Sequence, residues 1–142
     1  RKKMKRVTGI GGLFFKTDNP ELIREWYGKH LGIKMQGQHG AVFTWGKEET
    51  EEKGSTVWSP FKKGTTYFQP SEKEFMFNYR VENLEALLKM LKEEGVQIVG
   101  EMEVYEYGKF GWIMDPEGNK IELWESIDTE FNKMNDSVNI SA

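Results

Sequence analysis

The chain has 142 residues, 37% of them apolar, which makes one domain with enough material for a real core. Its 20 basic and 23 acidic side chains leave a net charge of −3, unlike the strongly basic face of a nucleic-acid binder. With no cysteine and only two histidines, His30 and His39, it excludes disulfides, thiolate catalysis, zinc ribbons, iron–sulfur clusters and histidine-rich metal sites.

A cytoplasmic location is the default expectation from the cysteine count. No run approaches the ~18 to 20 apolar residues of a membrane span. The basic residues 1–6 are followed by a short apolar stretch, 9–15, and then by polar residues, so no signal peptide is expected. Met4 is the expected natural start.

In chain order, Leu13 and Phe15 alternate in a first strand that ends at Asn19-Pro20, a helix cap followed by proline at the first helical position. Ile23, Trp26, Tyr27 and Leu31 recur at helical spacing, and Gly32 stops the helix. Short strands are predicted over 33–36, 41–45 and 56–59, with a charged loop over 47–53. Residues 60–74 join this half to the next.

The second half begins with Phe75, Phe77, Tyr79 and Val81 in alternation. Asn83 caps a helix whose apolar stripe is Leu84, Leu87, Leu88 and Leu91, and Gly95 ends it. Strands follow over 97–105, 111–114 and 120–125, the last two joined by the turn Asp115-Pro116-Glu117-Gly118. From residue 127 the chain reads as a polar tail, partly helical, and its N-x-S sequons at Asn135 and Asn139 read as chance.

The halves repeat. Residues 15–21 match 79–85 at an offset of 64, and Gly54 to Trp58 matches Gly118 to Glu122 at the same offset. Gly32-Ile33 matches Gly95-Val96 at 63. The reading is a duplicated strand–helix–strand–strand–strand unit, with module one at about 6–60, a linker at about 61–73, module two at about 74–126 and a tail at 127–142.

Two tandem βαβββ units, the second closed by Asp115-Pro116-Glu117-Gly118-Asn119-Lys120-Ile121-Glu122-Leu123-Trp124-Glu125, resemble the vicinal oxygen chelate superfamily of glyoxalases, bleomycin-resistance proteins and extradiol dioxygenases. The resemblance covers about residues 6–126. It implies an α+β fold in which two modules curl a mixed sheet into a cup, often within a homodimer. In the metal enzymes of that superfamily a divalent ion in the cup chelates two neighbouring substrate oxygens.

The resemblance also implies four ligand positions, on the first and last strand of each module. Glu122 of the closing motif is one, and the offset of 64 makes Trp58 its partner. The first-strand positions, seven residues before each helix cap, are Gly12 and Met76. Of these only Glu122 suits a hard or borderline ion. Catalytic zinc sites normally have three protein ligands, so a divalent metal is disfavoured unless His39 or a partner chain rebuilds the site.

Strand parity supplies a pocket inventory. Ile121 and Leu123, like Leu13 and Phe15, are expected to face the helices, leaving Lys120, Glu122 and Trp124 on the cup side with Gly12 and Phe14. Met76 and Asn78 join them, as do Thr56 and Trp58. Glu106, in phase with Met102 and Val104, is a second candidate carboxylate. Phe15, Trp26, Tyr27, Phe77 and Tyr79 are assigned to the core. The glycine run 9–12 precedes a strand and is no phosphate loop.

A carboxylate among Phe14, Trp58, Met76 and Trp124 should have its pKa raised by desolvation, as a general base requires. The expected function is therefore a glyoxalase/bleomycin-resistance-like protein that binds a small organic ligand in an aromatic cup with an incomplete metal site. One alternative is a lyase or isomerase using Glu122 as base or as one ligand of an atypical metal site. The other is a dimeric, non-catalytic regulatory domain. No cofactor, nucleic acid or membrane partner is expected.

Overall fold

Local sequence signals set the element boundaries. In the computed structural model, which describes residues 5–46, 53–131 and 133–134, strand β1 (Val7–Thr17) runs into Asn19. The Asn19 side chain accepts the Leu22 N–H at 3.1 Å and so caps α1 (Pro20–Leu31), which Gly32 ends at φ 68°. Then come β2 (Met35–Gln36), β3 (Gly40–Gly46) and β4 (Lys53–Lys62). Module two repeats the order with β5 (Phe75–Val81), α2 (Leu84–Glu93), β6 (Ile98–Tyr105), β7 (Gly108–Met114) and β8 (Lys120–Ser126). Asn83 caps α2 through the Ala86 N–H at 3.1 Å, and Asp115 organises the last turn by accepting the Glu117 and Asn119 N–H groups. Met4, most of the charged loop (47–52) and both sequons lie outside the described residues.

All eight strands form one mixed sheet in the order β2-β3-β4-β1-β5-β8-β7-β6. Its centre is the antiparallel pair β1 and β5, where Leu13 faces Phe77 and Phe14 faces Met76. Leu13 and Phe77 are 64 positions apart and directly opposed, so an approximate two-fold axis passes between them. Each central strand is flanked by the last strand of its own module, in parallel: β1 by β4 and β5 by β8.

The outer register departs from the sequence repeat by one. Phe14 lies opposite Ser59, whereas Asn78 lies opposite Glu122, so the counterpart of Glu122 is Ser59 and not Trp58. A single-residue slip reverses every side chain, and Trp58 accordingly packs on the helix side, 5.3 Å from the Phe15 ring and 4.8 Å from Tyr27.

The two helices cover one face unequally. Leu84 and Leu87 of α2 are buried with Val81 and Leu123. Helix α1 buries none of its residues, and Trp26 is 50% exposed. Between the helices Leu13, Phe75 and Phe77 stay more than a third exposed. The core assignment of Trp26 and Phe77 is thus overturned, because α1 leans on β4 and none of the described residues covers the middle of the sheet.

The second core lies on the helix-free face and joins Phe14, Met76 and Trp112 to Phe68. Phe68 is 0% exposed although it belongs to the expected linker. That segment is therefore a structural element packed on the sheet. The tail contributes too: after β8, residues 128–131 form a helical turn, and the Phe131 ring meets Trp124 at 4.9 Å. Among the described residues no helix is long and apolar enough to cross a membrane.

Candidate functional site

Alternation along β8 turns Lys120, Glu122 and Trp124 to the helix-free face, beside Met76, Asn78 and Arg80 of β5. Hairpin pairing sets Trp112 of β7 directly opposite Glu122. Glu122 is 2% exposed, and both of its carboxylate oxygens accept hydrogen bonds. Its Oε1 accepts the Asn78 amide at 2.6 Å, and its Oε2 accepts the Trp112 indole N–H at 2.9 Å as well as the Tyr67 hydroxyl.

All three donors are neutral, so burial dominates the electrostatics. It pushes the Glu122 carboxyl above its usual range, and the hydrogen bonds from Tyr67, Asn78 and Trp112 with the attraction of Lys120 only partly oppose it. Burial, and then the Glu122 charge, push the Tyr67 hydroxyl far up, which keeps it a donor. Tyr67 leaves 38% of its surface in solvent but sends its hydroxyl inward. Lys120 is lowered by burial; its Nζ donates to the Tyr67 carbonyl at 2.7 Å and sits 5.3 Å from the centre of the Tyr67 ring. The lysine thus fixes the segment that delivers the hydroxyl.

Beside Glu122 is a cavity of about 170 Å³. Phe14, Val57, Phe110, Trp124 and Phe131 of the tail line it, together with Gly11 and Asn78. The tail is pinned by Arg80, whose Nη2 donates to both oxygens of Asp128 at 2.8 and 2.7 Å. Arg80 itself lies between the indoles of Trp45 and Trp124, 5.3 and 5.2 Å from their centres.

The structure brings Phe14, Asn78 and Trp124 to the cavity with Glu122, and Met76 to the core beneath. Gly12 lies opposite Asn78, and its missing side chain makes room for the Phe14 ring, which a Cβ would meet at 2.7 Å. Trp58 is on the other face. The Thr56 hydroxyl ties strands together, donating to the Ile10 carbonyl at 2.7 Å and accepting the Trp45 indole N–H at 3.2 Å. Glu106 is exposed in the turn between β6 and β7, because the alternation that put it in phase stops at Tyr105.

His39 is exposed in the turn before β3 and lines a separate open groove of about 820 Å³ with Arg24 and Phe61. None of that groove's lining side chains carries a buried polar atom without a partner. Among the described residues no three histidine, cysteine, aspartate or glutamate side chains gather as a metal site would require. The four positions that the resemblance points to hold Gly12, Met76, Glu122 and, after the register correction, Ser59, whose hydroxyl donates to the His39 carbonyl at 2.7 Å.

Sequence reasoning missed Tyr67, Trp112 and Phe131. Trp112 was findable by counting back across the Asp115 turn, which pairs it with Glu122. The adjacent aromatics Tyr67 and Phe68 in an otherwise polar linker were a second signal.

Comparison with known proteins agrees with this architecture. Residues 9–123 match the model of the Glyoxalase/Bleomycin resistance protein/Dioxygenase superfamily. No curated protein sequence matches the chain. Among solved structures, methylmalonyl-CoA epimerase from Mycobacterium tuberculosis aligns over 89% of this chain and 93% of its own, with 19% identity and a TM-score of 0.54. A methylmalonyl-CoA epimerase in complex with methylmalonyl-CoA and NH4+ aligns over 85% and 96%, at 13% identity and a TM-score of 0.62. The Mn(II)-bound glyoxalase from Novosphingobium aromaticivorans aligns over 86% of this chain and 40% of its own, at 14% identity and a TM-score of 0.59. Those identities speak for the fold, and the family model spans most of the sequence: the chain belongs to the glyoxalase/bleomycin resistance protein/dioxygenase superfamily.

Proposed function

We propose that this protein binds a small organic molecule in a cup built around Glu122, and does so without a metal ion. The observation that carries this reading is a buried carboxylate held by three neutral donors against an apolar cavity of about 170 Å³. Two donors fill Oε2 and one takes half of Oε1, so a cation would find one lone pair of the carboxylate and could gain a second only by displacing a hydrogen bond already made. It would gain only one anionic ligand, and the neighbouring positions offer a thioether, a glycine and an engaged serine.

A second reading, a lyase or isomerase with Glu122 as general base, is favoured by one observation. Burial raises the Glu122 pKa, the direction a general base needs, and Glu122 is among the residues that border the cavity. Tryptophan fluorescence titrated with a panel of small organic compounds tests the binding reading. Saturable quenching is expected, and its absence for every compound overturns the proposal. For any compound that is turned over, Glu122→Gln separates the readings: turnover lost with binding kept supports the base, and unchanged turnover refutes it.

The same proposal places the protein in the cytoplasm as a homodimer. The absence of cysteine suits a reducing compartment, and the strip of Leu13, Phe75 and Phe77 left open between the helices suits a second copy of the chain. A monomer in sedimentation equilibrium would overturn the dimer.

A further inference from the structure

We infer that the tail acts as an internal ligand: Asp128 and Phe131 fill a site for an aromatic carboxylate, and a free molecule of that class displaces them. The inference rests on the binding reading above and names its ligand class.

Arg80 supplies the anchor. It belongs to the central strand β5, two residues on from Asn78, and is 8% exposed. A guanidinium is a planar fork of donors that matches a carboxylate, and a buried one has to be matched. The Trp45 and Trp124 indoles on either side of it restrict the fork. The matching carboxylate comes from outside the repeated unit. Arg80 Nη2 donates to both Asp128 oxygens, and the Ser126 hydroxyl donates to Oδ1 at 2.7 Å. Three hydrogen bonds thus converge on one carboxylate, yet the Asp128 side chain keeps 29% of its surface in solvent. A carboxylate that water reaches can be exchanged for another, while Arg80 stays with the sheet.

Phe131 supplies the other half. It follows Asp128 by one helical turn, its ring meets Trp124 edge-on at 71°, and it borders the Glu122 cavity. Trp124 is therefore shared, with the Arg80 cation against it and the Phe131 ring at its edge. The tail backbone is tied by the Ile127 N–H to the Tyr107 carbonyl at 3.1 Å and the Phe131 N–H to the Ile127 carbonyl at 3.0 Å. Ile127 itself is 45% exposed. A carboxylate on Arg80 and a phenyl ring on Trp124 are together the functional groups of an arylalkanoate.

Calorimetric titration of the full chain with 3-phenylpropanoate and with its neutral amide, 3-phenylpropanamide, tests this. The anion replaces one carboxylate by another, whereas the amide would leave Arg80 unmatched, so the wild type should bind the anion about tenfold more tightly. Asp128→Asn keeps the shape of the tail and removes its charge. It should raise the affinity for the anion about tenfold, because the tethered competitor is weakened. In Arg80→Met/Asp128→Ala, which carries neither charge, the preference for the anion should vanish. In the wild type, saturating anion should also speed hydrogen exchange at the Ile127 and Phe131 amides, a readout that needs no variant. Equal affinities for the two probes in the wild type, no gain in Asp128→Asn, a preference that survives in the double variant, or unchanged exchange at saturation overturns the inference. If neither probe binds but other compounds of the panel do, this ligand class is refuted and the broader reading stands.

Discussion

Removing the Asp128 carboxylate should destabilise the protein and open the cavity together. Arg80 has a side-chain exposure of 9%, and its guanidinium is paired with the Asp128 carboxylate at 2.7 Å. Breaking a buried pair by deleting one partner typically costs about 3–5 kcal/mol, because the other charge is left uncompensated. The Asp128 side chain is 29% exposed, so water reaches it and can solvate Arg80 in its place, which lowers the expectation for Asp128→Ala to about 2–3 kcal/mol. The double variant Arg80→Met/Asp128→Ala leaves no orphan charge and should recover about half of that loss. Urea denaturation of the wild type, both single variants and the double variant closes the cycle. Asp128 also anchors the turn that carries Phe131, so a compound that quenches tryptophan fluorescence by binding beside Glu122 should associate faster with Asp128→Ala than with the wild type. A cost below about 0.5 kcal/mol, or strictly additive single effects, would show that the pair neither neutralises Arg80 nor holds the tail.

Folded Glu122 binds its proton more tightly than unfolded Glu122, so its contribution to stability is present at low pH and is lost as the pH rises through the raised folded value. The wild-type stability minus that of Glu122→Gln, from urea midpoints between about pH 4 and about pH 8, should therefore fall with rising pH; a flat or rising difference would refute the burial argument. Phe68→Ala should cost about 3–5 kcal/mol by denaturant unfolding, because the ring is 0% exposed against Phe61 and the helix-free core, and a loss below about 1 kcal/mol would mean that the linker is not an element of that core.

Much of the fold was legible because the signals were local. Asn19-Pro20 and Asn83 mark helix starts, Gly32 and Gly95 mark helix ends, and alternation in Phe75 to Val81 is a strand signature that needs no tertiary context. Duplication then supplied the topology, and the pairing of Leu13 with Phe77 matches its offset of 64. The site was legible only where that offset held. It placed Gly12, Phe14, Met76 and Asn78 on one face, and it failed at Trp58, because β4 and β8 are related by 63 and a strand alternates with period two. Glu106 failed for a related reason, since periodicity says nothing of where a strand stops.

What sequence periodicity could not reach is what differs between the modules. The Glu122 hydrogen-bond set and its cavity depend on three departures from the repeat. The linker sends in Tyr67 and Phe68, the tail sends in Asp128 and Phe131, and the register shifts in β1 between Val7 and Gly12 bring Gly11 against Asn78. In module one the matching place holds Ser59, hydrogen-bonded to the His39 carbonyl. A two-fold frame would offer two equivalent sites, and here one has become a tie between a strand and a turn. The other has gained a plug, a carboxylate and a cover. Specificity therefore lies in the elements outside the repeat, and substitutions at Tyr67, Asn78 and Phe131 should alter which guest is accepted while leaving the eight-stranded sheet in place.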